Sequence, residues 1–202
     1  MGNKLAITGL FGGSFNPPHI GHVTAAMRAV EALGLDKIII MPTGRPSHKL
    51  LPFATPLPED RLAMARLAFE DLPHCEVSDW EISRPLPAYT ADTLEYLRET
   101  GLSPILIVGS DMFLTLHEWA RADQLLSLTR VAVLLRNPSQ AGQVSRHAAF
   151  LAHRYGAAID WIEHTPVEIS STELRGLLKS GKGREYLPKH VCEYICKKRL
   201  YI

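Results

Sequence analysis

The sequence predicts an α/β fold of three layers. A mostly parallel central sheet carries helices on both faces, with a small helical appendage at about residues 168–202. Three observations predict it. Short apolar runs that read as buried strands, among them Leu5 to Leu10, Lys37 to Met41 and Pro104 to Val108, alternate with stretches of helical period. The links between them are short, which favours neighbouring parallel strands joined by right-handed crossovers. The first strand pattern runs into Gly12-Gly13, then Pro17-Pro18, then a helix pattern, the layout of a strand–turn–helix junction.

The totals bound the reading. The 202 residues suit one domain, 1–202, with room for a sizeable core. Apolar residues make up 46% and the formal net charge is +1, which argues against disorder and against a nucleic-acid footprint. No apolar run is long enough to span a bilayer, so no membrane partner is expected. Met1-Gly2-Asn3-Lys4 leads straight into the first strand, leaving no room for a signal peptide. Cys75, Cys192 and Cys196 make no disulfide framework and point to a reducing cytoplasm. The last two, four apart on a predicted helix, read as buried thiols filling its face. A homo-oligomer is left open.

The elements follow in order. After the glycines, Ile20, Val23, Met27, Val30 and Leu33 recur on one helical face. Lys37 to Met41 is a β-branched run ending at Pro42, and the loop to Lys49 carries Arg45, His48 and Lys49. Pro58-Glu59-Asp60 opens a helix through Glu70, with proline in its first turn and acids favouring its N-terminus. Cys75 to Val77 is a short strand, and 79–89 is an irregular loop. Thr90 reads as the N-cap of a helix through Glu99. The clearest strand, Pro104 to Asp111, ends in Gly109 and Asp111, with Trp119 soon after. Arg130 to Arg136 and Ala157 to Ile162 complete the strands, with 139–154 as loop and helix between them. Ser170 or Ser171 caps a further helix with Glu173 as capping-box partner, and a last helix follows Pro188.

Several of these junctions carry chemistry. Gly12 and Gly13 bare the backbone and allow positive φ, so a phosphate can approach main-chain N–H groups. His19 and His22, one helical turn apart, can face one point at a positive helix end, with Gly21 clearing space for a ligand between them. An acid after a buried strand, here Asp111, can accept both hydroxyls of a ribose. Arg136 emerges at a strand end where it can meet a phosphate. Ser171, Thr172 and Arg175 make a second anion site at a helix start. Trp119 reads equally as a stacking platform or a core residue. Gly176 to Gly183 nearly spells a P-loop, but it lies in and after a helix and puts Gly183 where Ser or Thr should hold magnesium. No G-x-G-x-x-G follows the first strand, so hydride transfer lacks support.

The stretch Gly12-Gly13-Ser14-Phe15-Asn16-Pro17-Pro18-His19-Ile20-Gly21-His22 resembles the opening motif of the HxGH nucleotidyltransferases, and within them the bacterial nicotinate-mononucleotide adenylyltransferases. That family usually has Asp where this chain has Asn16, which keeps a hydrogen-bonding oxygen. The resemblance runs along almost the whole chain and implies a Rossmann-like fold. It implies that Gly12, Gly13, Ser14, Phe15, His19, His22, Gly109, Asp111, Ile169, Ser171, Thr172 and Arg175 bind ATP, with the two histidines catalytic. It also implies that Ser14, His48, Lys49, Tyr89, Thr90, Trp119 and Arg136 hold the mononucleotide, the Tyr-Thr main chain taking the nicotinate carboxylate and Trp119 stacking on the pyridine. The expected reaction is ATP plus nicotinate mononucleotide to deamido-NAD and pyrophosphate, with Mg2+ arriving on ATP. The alternatives are nicotinamide mononucleotide or another phosphate acceptor, and a non-catalytic nucleotide sensor on the same fold.

Overall fold

Six strands enter one sheet in the computed structural model, which describes residues 6–44, 55–85, 88–135 and 138–201. In chain order the elements are β1 (Thr8–Gly13), α1 (Ile20–Leu33), β2 (Lys37–Pro42), α2 (Pro58–Phe69), β3 (Cys75–Val77), α3 (Thr90–Glu99) and β4 (Ile105–Gly109). They continue with α4 (Ser110–Leu114), α5 (Ala122–Leu128), β5 (Val131–Leu135), α6 (Ala141–Tyr155), β6 (Ile159–Glu163), α7 (Ser171–Lys179) and α8 (Lys189–Lys198). The strand order is β3-β2-β1-β4-β5-β6, a doubly wound, Rossmann-like arrangement whose order reverses at β1. The registers are parallel, with Leu10 opposite Leu106 in β1–β4, Ile107 opposite Ala132 in β4–β5, and Val133 opposite Trp161 in β5–β6. Long links between strands, most of them carrying a helix, are what parallel pairing demands.

The backbone forms two compact units. The first holds the described part of Met1–Phe11 with Arg28–Ile39 and Tyr89–Pro166. Its centre is β4 and β5, where Ile105 to Val108 and Val131 to Leu134 are all buried, as continuous apolar runs in parallel sheets should be. Gly9 of β1 belongs here because a Cβ would press on Leu35 and Ile107. The second unit holds Gly12–Met27, Ile40–Ala88 and the described part of Val167–Ile202. Its core includes Phe15, Met41, Met64, Ala65, Phe69, Leu174 and Val191. Here α8 is tied to α2, since the Tyr194 hydroxyl donates to Asp60 (2.7 Å), Lys198 lies 3.5 Å from Asp60 and His190 pairs with Glu70.

Four local expectations change. β1 begins and ends three residues beyond the run Leu5 to Leu10, so Gly12 and Gly13 belong to the strand and neither takes positive φ. The buried face of α1 is Ala25, Ala26 and Ala29, whereas Met27 is 44% exposed. Small side chains, rather than the larger apolar set, let this helix lie close to its neighbours. A five-residue helix, α4, follows β4 at once, with Gly109 as its N-cap. Cys196 is exposed and Cys192 half-buried, so the face of α8 is filled by Val191 and Ile195 instead. Both thiols border a cavity of about 280 Å³ lined also by Leu178, Leu187 and Arg184, and none of its lining residues belongs to the opening motif. Among the described residues no helix is long and apolar enough to cross a membrane.

Candidate active site

The second unit gathers two of the sequence-predicted anion sites. The turn after β1 is built around Phe15, whose φ of 42° is rare for a residue with a side chain. That backbone costs about 1–2 kcal/mol. Its ring is 1% exposed and meets Phe69 and His22 edge-on, and burial of a phenyl contributes about 1.5–3 kcal/mol, enough to hold the turn. Gly13 lies close beneath it, and a Cβ there would sit 3.2 Å from the ring, so the ring would have to give by a few tenths of an ångström. The strain falls at the one turn on which the motif depends, where such residues commonly collect.

The two histidines open α1. His19 N–H donates to Nδ1 of His22 (3.2 Å), so the third helical residue caps the first turn through an imidazole. With Nδ1 accepting, the proton of a neutral His22 sits on Nε2, which leaves that nitrogen the donor. The rings lie 3.8 Å apart between centroids, and no acid stands in the first turn to offset the positive helix end. His19 itself is buried at 6% exposure. Gly21 serves a different purpose from the one its position suggests. A Cβ there would lie 3.0 Å from Nδ1 of His19, so the missing side chain makes room for the imidazole rather than for a ligand.

The helix start at α7 meets this turn directly. Ser170 is the N-cap, its Oγ accepting from Glu173 N–H (3.2 Å) while Glu173 accepts from Ser170 N–H (2.9 Å) and Oγ (2.7 Å). Those bonds from Ser170 hold the Glu173 carboxyl below its ordinary range. Ser171 Oγ donates to the carbonyl of Pro17 (3.2 Å). Arg175 donates to the carbonyl of Asn16 (2.9 Å) and to Oγ1 of Thr172 (3.1 Å). Ile169, half-buried, donates its N–H to Val167 within the loop before the cap. The HxGH segment and the Ser-Ser-Thr helix therefore share hydrogen bonds across more than 150 residues of chain.

Sequence reasoning missed the groups that hold this turn from behind. Asn16 is 1% exposed, its Oδ1 accepting from the Tyr201 hydroxyl (2.7 Å) and its Nδ2 donating to Thr55 (3.2 Å). Burial pushes the Tyr201 phenol far above its ordinary range, so it stays a donor. Arg61 is wholly buried and donates to the carbonyls of Ser14 (2.9 Å), Thr43 (2.6 Å) and Gly44 (2.7 Å). Burial lowers its pKa, although a guanidinium keeps its charge. A signal existed in the sequence. Arg61 falls in register with Met64, Ala65 and Ala68 on the apolar stripe of α2, where a charge needs a reason.

The first unit holds the remaining described candidates. Gly109 ends β4 as the N-cap of α4, Asp111 is exposed in the first turn of that helix, and half-buried Trp119 lies between α4 and α5. Tyr89, not Thr90, is the N-cap of α3, because the Tyr89 N–H donates to Asp92 (2.9 Å) and Thr90 is already helical. Asp92 also pairs with Arg121, which reaches Glu95 as well (2.9 Å). His48, Lys49 and Arg136 lie outside the described residues.

Comparison with known proteins places the chain in a family. A family model described as cytidylyltransferase-like matches residues 10–177. A probable nicotinate-nucleotide adenylyltransferase of Caldicellulosiruptor saccharolyticus is 37% identical over 194 residues, covering 95% of this chain and 97% of that protein. The chain belongs to the nicotinate-nucleotide adenylyltransferase family. Another member, from Aeromonas salmonicida, is 39% identical over 207 residues, with 96% of each chain covered. The family fold is seen also in the Plasmodium falciparum nicotinic acid mononucleotide adenylyltransferase solved in complex with NaAD. That structure has a TM-score of 0.76 at 18% identity, with 97% of both chains covered. A Vibrio parahaemolyticus structure, described as a putative nicotinate-nucleotide adenylyltransferase, gives a TM-score of 0.63 at 20% identity, covering 98% of this chain and 96% of that one.

Proposed function

We propose that this chain transfers the adenylyl group of ATP to nicotinate mononucleotide, giving deamido-NAD and pyrophosphate. The observation that carries the reading is the bonded meeting of the HxGH turn with the α7 start, Arg175 on Asn16 and Ser171 on Pro17. A phosphate oxygen of the mononucleotide attacks the α-phosphorus of ATP. The bond to the β-phosphate oxygen breaks, and its electron pair leaves with pyrophosphate. No enzyme nucleophile is required, so the protein positions reactants and offsets charge. His22, through Nε2, and His19 stabilise the phosphates and the transition state. Main-chain groups of Gly12, Gly13, Ser14 and Phe15 approach ATP, as do Ile169, Ser171, Thr172 and Arg175. Gly109 and Asp111 take the nucleotide. Ser14, His48, Lys49, Tyr89, Thr90, Trp119 and Arg136 take the mononucleotide.

Magnesium belongs to the substrate, as MgATP. Among the described residues no group of three or more His, Cys, Asp or Glu side chains is placed to hold a metal. Asn16 supports an enzyme over a sensor, because its amide is spent on Tyr201 and Thr55, a holding role that needs no carboxylate. The cytoplasm is the expected compartment, from three cysteines that make no disulfide framework. The test is pyrophosphate release with ATP and nicotinate mononucleotide, beside the same assay with nicotinamide mononucleotide. Release that is faster with the acid supports the reading; release with neither, or preference for the amide, overturns it.

A further inference from the structure

Among the described residues Arg61 is the largest fully buried side chain, and its partners there are main-chain carbonyls rather than carboxylates. A buried cation is costly to desolvate, so one spent on backbone must fix something the fold would otherwise leave loose. Its fork spans two segments. One is the opening turn, gripped at Ser14; the other is the exit of β2, gripped at Thr43 and Gly44. The same segments are laced by Thr43 N–H donating to the Gly13 carbonyl (2.9 Å). Gly44 is further confined, because a Cβ there would collide with the main-chain carbonyl of Glu81.

The direction of these bonds has a stereochemical result. In a trans peptide the carbonyl and the following N–H lie in the peptide plane and point in opposite directions. Of the described peptides only Asn16–Pro17 is cis. By drawing the Ser14 and Thr43 carbonyls inward, Arg61 therefore turns the N–H groups of Phe15 and Gly44 away from itself. We propose that Arg61 is a positioning residue, which aims the Phe15 and Gly44 amides as a pair of donors for the phosphate chain of the nucleotide. Lysine could not replace it, since a single ammonium lacks the planar fork that bridges both segments.

The proposal rests on the adenylyltransferase reading for its substrate, but its test does not. In the full chain labelled with ¹⁵N, inorganic pyrophosphate should shift the amide signals of Phe15 and Gly44. In Arg61→Lys those two signals should move from their wild-type positions before ligand is added. The affinity for pyrophosphate should then fall about tenfold or more, and kcat/KM for ATP about 100-fold, the scale of a small misplacement. A merely structural arginine would lower the melting temperature and leave the folded fraction with wild-type kcat, KM and pyrophosphate affinity, which would overturn the proposal. If Arg61→Lys does not fold, the wild-type titration decides. Phe15 and Gly44 amides unmoved by pyrophosphate or ATP would overturn the assignment even in an enzyme that makes the dinucleotide. Shifted amides in a chain that makes none would sink the reaction and leave Arg61 its role as a phosphate-site organiser.

Discussion

Helices α7 and α3 begin alike and end up with opposite electrostatics. Each has an acid three residues after its N-cap, Glu173 after Ser170 and Asp92 after Tyr89, accepting the N-cap N–H. In α7 the acid stays within its own cap, and Arg175, one turn on, reaches across to the opening turn at Asn16. In α3 the acid is shared with Arg121, which a second acid, Glu95, also claims. The first start therefore adds a cation to a positive helix end, as a polyphosphate requires. The second surrounds its one arginine with two carboxylates, which suits at most a lightly charged group. A capping pattern in sequence says where a helix starts; the fate of the nearest arginine says what that start can bind.

That contrast can be broken or sharpened by substitution. His22→Ala should have the largest effect, slowing turnover by about 100-fold or more, the scale of losing one transition-state donor. Turnover close to wild type would remove His22 from the chemistry. Next, Arg175→Gln should lower kcat/KM for ATP by roughly 10- to 100-fold, as expected for one charge-assisted bond. If the mononucleotide KM suffers more than that for ATP, α7 is not the polyphosphate site. Tyr201→Phe leaves Oδ1 of buried Asn16 without its donor and should destabilise by about 1–3 kcal/mol in urea unfolding. An unchanged midpoint would show that the turn holds itself. Smallest of all, Arg121→Gln at the N-cap of α5 should move the melting temperature less than Tyr201→Phe does, and the shift should vanish in high salt. A salt-independent loss would mean that the α3 cluster matters as much as the α7 one.

Much of this architecture was legible because it follows from period and punctuation. The runs at Lys37, Pro104 and Arg130 became β2, β4 and β5, Pro58 marked a helix start to the residue, and of the two serines offered as a cap Ser170 is the one used. These features are local, so a local reading finds them. Where the reading slipped, partners distant in sequence decided the outcome. α1 buries alanines because close approach outweighs the bulk of Met27, and Gly21 is small because His19 folds over it. Thr90 yielded the cap to Tyr89 once Asp92 turned back on the preceding N–H. Both histidines and Arg175 were visible as chemistry; Arg61 showed only as a charge on an apolar stripe, and nothing near Arg61, Thr55 or Tyr201 in sequence reveals that they bond Ser14 or Asn16.

The bonds at Asn16 also bear on how the molecule is made. Their partners Arg175 and Tyr201 lie 159 and 185 positions further along. At synthesis rates of about 5–20 residues per second, roughly ten to forty seconds separate the emergence of the loop from that of its last fastener. During that interval a ribosome-bound nascent chain carries both histidines without the clasp that sets them. Competence should therefore arrive late and abruptly, once the segment that carries Tyr201 has left the exit tunnel.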